Sequence, residues 1–260
     1  MERPSLDVEA LRAALSERWQ RVDVVQQTGS TNADLIADST APDRSLLAAE
    51  DQVAGRGRLD RTWVTPPRAG LTFTILLRPT TPMATWGWLP LMAGMALHDA
   101  VGEVTGVGTR LKWPNDLLAD DERKLAGILV QTTGEAVAIG IGLNVSMRSD
   151  ELPVETATSL ALCGSPDVDR TRLLAAIASQ LDHRALQWED VNGDAEACGL
   201  AAAYSAACAT LGREVRVATL DGTGLTGQAT SIAADGRLVV DVGGELRAVG
   251  AGDVEHLRGL

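Results

Sequence analysis

The sequence predicts an α+β fold, a mixed sheet with helices packed on it, followed by a small β-barrel. Three observations carry this. Apolar runs at residues 46–49, 71–77, 124–130 and 136–145 read as buried strands, and segments of helical periodicity lie around them. Beyond residue 211 the pattern changes to short alternating strands with turn residues between them. A length of 260 residues suits one full-sized domain, residues 1–211, and a small one, residues 212–260.

Composition narrows the function classes. Apolar content of 45% and charged content of 22% are ordinary for a globular chain. With one Phe, one Tyr and six Trp, the core has to be built from Ala, Val, Leu and Ile. A formal net charge of −12 argues against non-specific nucleic-acid binding. Cys163, Cys198 and Cys208 form neither a metal-ligand spacing nor an even disulfide set, which points to a reducing cytoplasm. No apolar run approaches a membrane span and no signal-peptide pattern opens the chain, so no membrane partner is expected.

The elements follow in order. Residues 7–19 place Val8, Leu11, Leu15 and Trp19 at helical spacing, ahead of a strand at 22–26. So short a stretch before the first strand cannot hold a helix-turn-helix, and DNA is not an expected partner. Ser30 or Thr31 can cap the next helix, and their hydroxyls are also placed to bond a polar ligand group. Residues 85–104 read as a long apolar helix, with Trp86 and Trp88 as packing residues and His98 outside any chemistry. In 111–118, Pro114 denies a donor, so that strand is bent or at an edge. A charged hairpin turn, 120–123, leads to the return strand that begins at Lys124. Helices are expected at 169–190, capped by Asp169, and at 194–211, ended by Gly212 as its C′ residue. Strands at 214–220, 226–233, 237–242 and 246–248 would then form the barrel, with Asp235-Gly236 as a hairpin turn.

Two stretches carry chemistry. The first, residues 50–63, joins two buried strands through Gly55, Arg56, Gly57, Arg58, Arg61 and Trp63. Glycines let backbone N–H groups approach an anion, arginines give bidentate phosphate donors, and the indole offers an apolar face. From Val53 to Pro79 five arginines (Arg56, Arg58, Arg61, Arg68, Arg78) stand against one acid, Asp60. A positive patch in an acidic chain suits a small anionic ligand such as a nucleotide. No Gly-Lys-Ser/Thr ends the loop and a strand follows it, so it is not a Walker A loop. The second stretch sets Lys112, Asn115 and Asp116 among apolar neighbours, a placement suited to holding a cation or a ligand. Asn144, at the end of a glycine-bearing strand, offers both the donor and the acceptor that an adenine edge needs.

Taken together, Gly29-Ser30-Thr31-Asn32, Gln52 with Gly55-Arg56-Gly57-Arg58 through Arg61 and Trp63, Lys112-Trp113-Pro114-Asn115-Asp116, Lys124-Leu125-Ala126-Gly127-Ile128-Leu129 and the segment from Gly140 to Asn144 resemble the biotin–protein ligases. The resemblance implies a catalytic domain of the class II synthetase-like biotin/lipoate ligase type and an SH3-like barrel. It also implies ATP-dependent formation of biotinyl-5′-AMP, then biotin transfer to a lysine of a biotin carboxyl carrier protein. Lys124 and Arg58 are its catalytic candidates. Ser30, Thr31, Asn32, Gln52, Gly55, Arg56, Gly57 and Gly127 join them around biotin. Arg58, Arg61, Trp63, Lys112, Asn115 and Asn144 face ATP, and Asp116 is the candidate Mg²⁺ ligand. The family often has Gly where this chain has Asp60. A lipoate–protein ligase and a non-catalytic biotin or nucleotide sensor remain as alternatives, and either a monomer or a homodimer is compatible with the sequence.

Overall fold

The computed structural model describes residues 3–15, 18–58, 61–218, 224–250 and 253–257. Its main sheet is built from β1 (Arg21–Val25), β2 (Ser45–Ala49), β5 (Gly70–Leu77), β6 (Thr109–Lys112), β7 (Asp116–Ala119), β8 (Lys124–Thr133) and β9 (Ala136–Asn144). Their order is β1-β2-β5-β9-β8-β7-β6, with β1 and β2 parallel and every other pair antiparallel. The sheet is therefore mixed, as the sequence predicts. The parallel step is made by α2 (Thr31–Ala37).

Strand alternation divides the sheet into two unlike faces. Phe73, Ile75 and Leu77 of β5, with Val137, Ile139 and Ile141 of β9, enter the large core beneath α3 (Leu89–Thr105) and α4 (Arg170–Asp190). Leu76, Ala136 and Ala138 point the other way, where Leu35 of α2 covers them. Along that second face the residues that follow in alternation are small or polar: Thr74, Thr72, Gly140, Gly142 and Asn144. One face is thus built for packing and the other, beyond α2, for something else.

Several expectations are corrected. Residues 111–118 form not one strand but a hairpin, in which Lys112 of β6 pairs with Asp116 of β7 around Trp113-Pro114-Asn115, and β6 is the edge strand of the sheet, as the proline suggests. The Trp113–Pro114 peptide is cis, and Pro114 has no N–H with which to continue a ladder. The helix expected at 194–211 shrinks to α5 (Leu200–Ala207), preceded by Gly199 at φ 77°. From Cys208 the chain instead runs beside the exposed edge of β6, where Ala209 N–H donates to Leu111 O (2.7 Å). That pairing covers an open sheet edge, a need that alanine-rich periodicity does not signal. Gly212, at φ 80°, serves the turn into the next strand rather than a helix end. The amino-terminal helix, α1, is described over Val8–Leu15, residues 16–17 of the predicted span lying outside the described residues, and the long helix opens with a 3₁₀ turn at Met83–Trp88. Asp169 caps α4 as expected, accepting from Thr171 N and Arg172 N. Trp88 is fully buried, in keeping with a packing role.

The carboxy-terminal strands are β10 (Glu214–Ala218), β11 (Gly224–Ile232), β12 (Leu238–Val242), β13 (Glu245–Val249) and β14 (Asp253–His256). They form one antiparallel sheet, ordered β13-β12-β11-β10-β14. Among the described residues β13 and β14 do not pair, so the predicted closed barrel is an open sheet here. The sequence gives no sign of β14, whose four residues carry one apolar side chain, Val254. Residues 219–220, at the end of the predicted strand 214–220, lie outside the described residues.

The amino-terminal segment, the sheet and α4 meet at a buried ion pair. Arg170, at the start of α4, donates to Glu50 Oε2 (2.7 Å), Gly70 O (3.0 Å) and Pro4 O (2.6 Å). Glu50 Oε1 accepts from Leu6 N (2.5 Å). The two side chains are 6% and 2% exposed, so removing one partner strands a desolvated charge. Arg170→Ala is expected to cost about 3–5 kcal/mol in urea unfolding, against a small change for the exposed control Arg216→Ala.

Candidate active site

A cavity of about 1070 Å³ opens on the polar face of the main sheet. Its floor is β8 and β9, where Gly127 pairs with Gly142. Over those two glycines lies the indole of Trp63. A Cβ at Gly142 would collide with Trp63 Cε2, and one at Gly127 would stand 3.2 Å from Trp63 Cζ3. Trp63 Nε1 is buried without a hydrogen-bond partner. Gly140 likewise makes room for the amide of Asn32. These glycines are there for close approach, not for a turn.

The loop of residues 50–69 is not irregular throughout. Gly55 and Arg56 (β3) pair with Thr62 and Trp63 (β4) in a small hairpin, which holds the indole against the sheet. Gly55 is required there, because a Cβ would lie 2.5 Å from both Gln52 Nε2 and Trp63 O. Asp60, the position that departs from the family pattern, lies outside the described residues. The loop's base is fixed at Glu50, whose N–H donates to Val25 O (3.0 Å) and whose carbonyl accepts from Arg68 N–H (2.8 Å).

One wall is a buried polar network at the start of α2. Ser30 is the N-cap, accepting from Ala33 N (3.5 Å). Thr31 N–H donates to Gln52 Oε1 (3.0 Å), which ties the helix terminus to the loop. Thr74, fully buried, lies 2.6 Å from Asn32 Oδ1 and 2.7 Å from Thr31 Oγ1. A hydroxyl has one proton, so Thr74 donates to the amide oxygen and accepts from Thr31. Asn32 Nδ2 donates to Leu129 O (3.2 Å) and Gln131 Oε1 (2.8 Å). Asn32 therefore spends its groups on the protein and orients its neighbours. Sequence patterning missed Thr74, because a threonine within an apolar strand carries no signal of its own.

The opposite wall is charged. Lys124 Nζ stands 2.6 Å from Asp116 Oδ1 and 5.9 Å from the Trp63 ring centroid. That carboxylate oxygen is buried, and the ammonium is its ion-pair partner. Arg58 Nη1 donates to Asn115 Oδ1 (3.2 Å), and Asn115 Nδ2 donates to Ile128 O (3.0 Å). Arg56, Arg58, Arg61, Lys112 and Lys124 all line the cavity. The positive patch read from sequence is only partly assembled. Arg68 and Arg78 do not line the cavity; Arg68 bonds Gln26 Oε1 (3.4 Å) and Arg78 bonds Ala41 O (3.0 Å). Asn144 does line it, with its Nδ2 already donated to Thr158 O (2.9 Å).

Comparison with known proteins gives a consistent picture. Residues 21–147 match the profile of the biotin/lipoate A/B protein ligase family, and residues 210–257 that of the biotin protein ligase C terminal domain. The chain is 42% identical to the biotin--[acetyl-CoA-carboxylase] ligase of Mycobacterium tuberculosis, over 98% of this chain and 97% of that one. It is 31% identical to the bifunctional ligase/repressor BirA of Bacillus subtilis, over 90% of this chain and 72% of that one. Among solved structures, the biotin protein ligase from Aquifex aeolicus in complex with biotin and ATP superposes with a TM-score of 0.79 at 25% identity. That match covers 93% of this chain and 100% of the other.

The glycine platform is testable without any ligand. Gly142→Ala should lift the indole and loosen the β3–β4 hairpin. Proteolytic cleavage within residues 53–64 is expected to rise several-fold, with the thermal midpoint little changed.

Proposed function

The chain belongs to the biotin/lipoate A/B protein ligase family, as a biotin–[acetyl-CoA-carboxylase] ligase, and from that premise we propose how its residues share the reaction. The enzyme is an ATP-dependent biotin ligase. A biotin carboxylate oxygen attacks the α-phosphorus of ATP, giving biotinyl-5′-AMP and releasing pyrophosphate. The amine of a carrier-protein lysine then attacks the acyl carbon, an amide forms, and AMP leaves. The observation that carries the assignment of roles is one cavity with two unlike walls. A buried network of neutral hydrogen-bonding groups faces a cluster of cations across a glycine floor.

The neutral wall suits the ureido ring, which offers N–H donors and a carbonyl acceptor. Ser30, Thr31 and Gln52 reach it, Asn32 and Thr74 hold them in place, and Arg56 contributes mainly backbone beside Gly55 and Gly57. The charged wall suits the reacting groups. Bringing a carboxylate onto a polyphosphate is opposed by charge repulsion, and preorganised cations relieve it. Lys124, on the charged wall, is assigned to the carboxylate and the α-phosphate, with Arg58 and Arg61 on phosphate oxygens. Trp63 covers the adenylate, while Asn144 and Asn115 line the nucleotide side. Lys112 adds charge there. No side-chain nucleophile is needed.

Asp116 fits a divalent cation. Its buried Oδ1 has lone pairs beyond the one that faces the Lys124 ammonium, and among the described residues no cluster of three metal-ligating side chains surrounds it. One carboxylate plus substrate phosphates and waters is how Mg²⁺ is commonly held. Such an ion would supply further charge neutralisation on the phosphates. Lys124 already faces Asp116, so it would turn its ammonium toward the substrate carboxylate.

The division at residues 211 and 212, the SH3-like character of the carboxy-terminal sheet and the carboxyl carrier domain of an acetyl-CoA-type carboxylase as acceptor belong to the same proposal. So does a cytoplasmic location, which three free cysteines favour. Among the described residues no helix is long and apolar enough to cross a membrane.

Exchange of labelled pyrophosphate into ATP is expected with biotin and not with lipoate. Exchange with lipoate alone would favour the lipoate ligase, and biotin binding without exchange would favour a sensor. Lys124→Ala should lower biotin-dependent exchange by roughly 10²–10³-fold with the thermal midpoint retained. Wild-type exchange in that variant would remove Lys124 from the mechanism.

A further inference from the structure

The carboxy-terminal sheet reaches the cavity: Arg213 and the β14 residues Val254, Glu255 and His256 line it. One of its links to the catalytic side runs through the Trp113-Pro114-Asn115 turn. On one flank that turn is held by β8, where Ile128 N–H donates to Asn115 O (2.9 Å) and Asn115 Nδ2 donates to Ile128 O (3.0 Å). On the other flank Trp113 N–H donates to Thr210 Oγ1 (3.0 Å), and Trp113 Nε1 donates to Gly236 O (3.1 Å). Lys112 and Asp116 stand directly before and after the turn and pair across it. The position of both therefore depends on both flanks.

Thr210 is fully buried, and its oxygen already accepts from Trp113. A buried hydroxyl proton needs an acceptor, and among the described residues the one within reach is His256 Nε2, at 3.0 Å. Thr210 therefore donates to His256, and the imidazole is neutral with its proton on Nδ1. The environment agrees with this. Burial first, then the charges of Lys112 and Arg213, push the His256 pKa down to about 4, with Glu122 opposing them.

We propose that Thr210 and His256 are positioning residues for the nucleotide half of the reaction, fixing the Lys112–Asp116 turn through Trp113. The carboxy-terminal sheet is then a working part of adenylation and not solely a surface for the acceptor. This rests on the ligase reading above. Neither residue touches the neutral wall, so biotin binding by itself does not depend on them.

The test uses the full chain, with pyrophosphate exchange to measure KM for ATP and calorimetry for biotin alone. Thr210→Val removes the hydroxyl at constant volume, and His256→Ala removes its acceptor. Both are expected to raise KM for ATP roughly tenfold or more, while the biotin Kd stays within about twofold. In His256→Gln an amide oxygen can accept the same proton, and KM should return to within about threefold of wild type. If Thr210→Val fails to fold, the two His256 variants decide alone. An unchanged KM for ATP, a parallel loss of biotin affinity, or a Gln variant as impaired as the Ala variant would each overturn the proposal. Wild-type protein that lacks exchange altogether would instead remove the ligase reading, which separates the two failures.

Discussion

The site depends on three glycines where β8 and β9 cross the cavity floor. Gly127, Gly140 and Gly142 leave room on one face for the Trp63 indole and the Asn32 amide. Glycine inside a strand is normally unfavourable, since it adds backbone entropy and packs nothing. Here the opposite face compensates. Between the glycines Ile128, Ile139 and Ile141 point into the large core, and β-branched residues hold these central strands in place. Alternation lets one strand serve both purposes. A side chain at Gly140 or Gly142 would displace Asn32 or Trp63, and one at Gly127 would crowd Trp63 and Lys124 at 3.2 Å.

Around that floor, rigidity and charge are separated. Loop 50–69 has a stiff base, because Glu50 carries backbone bonds to Val25 and Arg68 as well as the buried pair with Arg170. Farther out, Arg56 and Arg61 are exposed and able to meet an anion. A chain with a net charge of −12 would ordinarily repel a nucleotide. The cavity lining instead carries seven Lys/Arg against five Asp/Glu, and charge in a concave site acts more strongly than on an open surface. Asp116 within this cluster pairs with Lys124 and moderates repulsion among the cations.

Much of this was legible in the sequence, unevenly. The strands of the main sheet are readable because they are long and apolar, Asp116 by its polarity among apolar neighbours, Ser30 by its capping position and Arg58 by the Gly-Arg loop, while Gln52 and Lys124 enter through the family resemblance. Four kinds of feature are not readable. Whether 111–118 continues or folds back depends on pairing partners, and Pro114 signals the break without saying which side turns. The 194–211 segment is helical by composition, yet Cys208 to Thr210 leave the helix to cover the edge of β6, a tertiary demand. The arginines at 68 and 78 look like members of the positive patch, but a count along the chain cannot tell which residues face inward. Thr74, Thr210 and His256 are short polar side chains whose meaning comes from distant partners.

That last group bears on where the working unit ends. A boundary at residue 212 follows the change of pattern, yet bonds crossing it are specific and buried. Trp88 Nε1 donates to Ala234 O (2.8 Å) and Trp113 Nε1 to Gly236 O, so two indoles grip one turn of the small sheet. Gly87 and Gly236 touch so closely that a Cβ at Gly87 would collide with Asp235 O. Bonds of this kind have fixed direction and length, unlike a greasy contact that tolerates sliding. Their geometry sets the small sheet in one orientation against the Trp113 turn. A rotation of that sheet would break both indole bonds and the Thr210–His256 contact together, moving Lys112 and Asp116 with them. The carboxy-terminal unit is therefore distinct as a pattern of strands, but for chemistry at the charged wall it belongs to the same body.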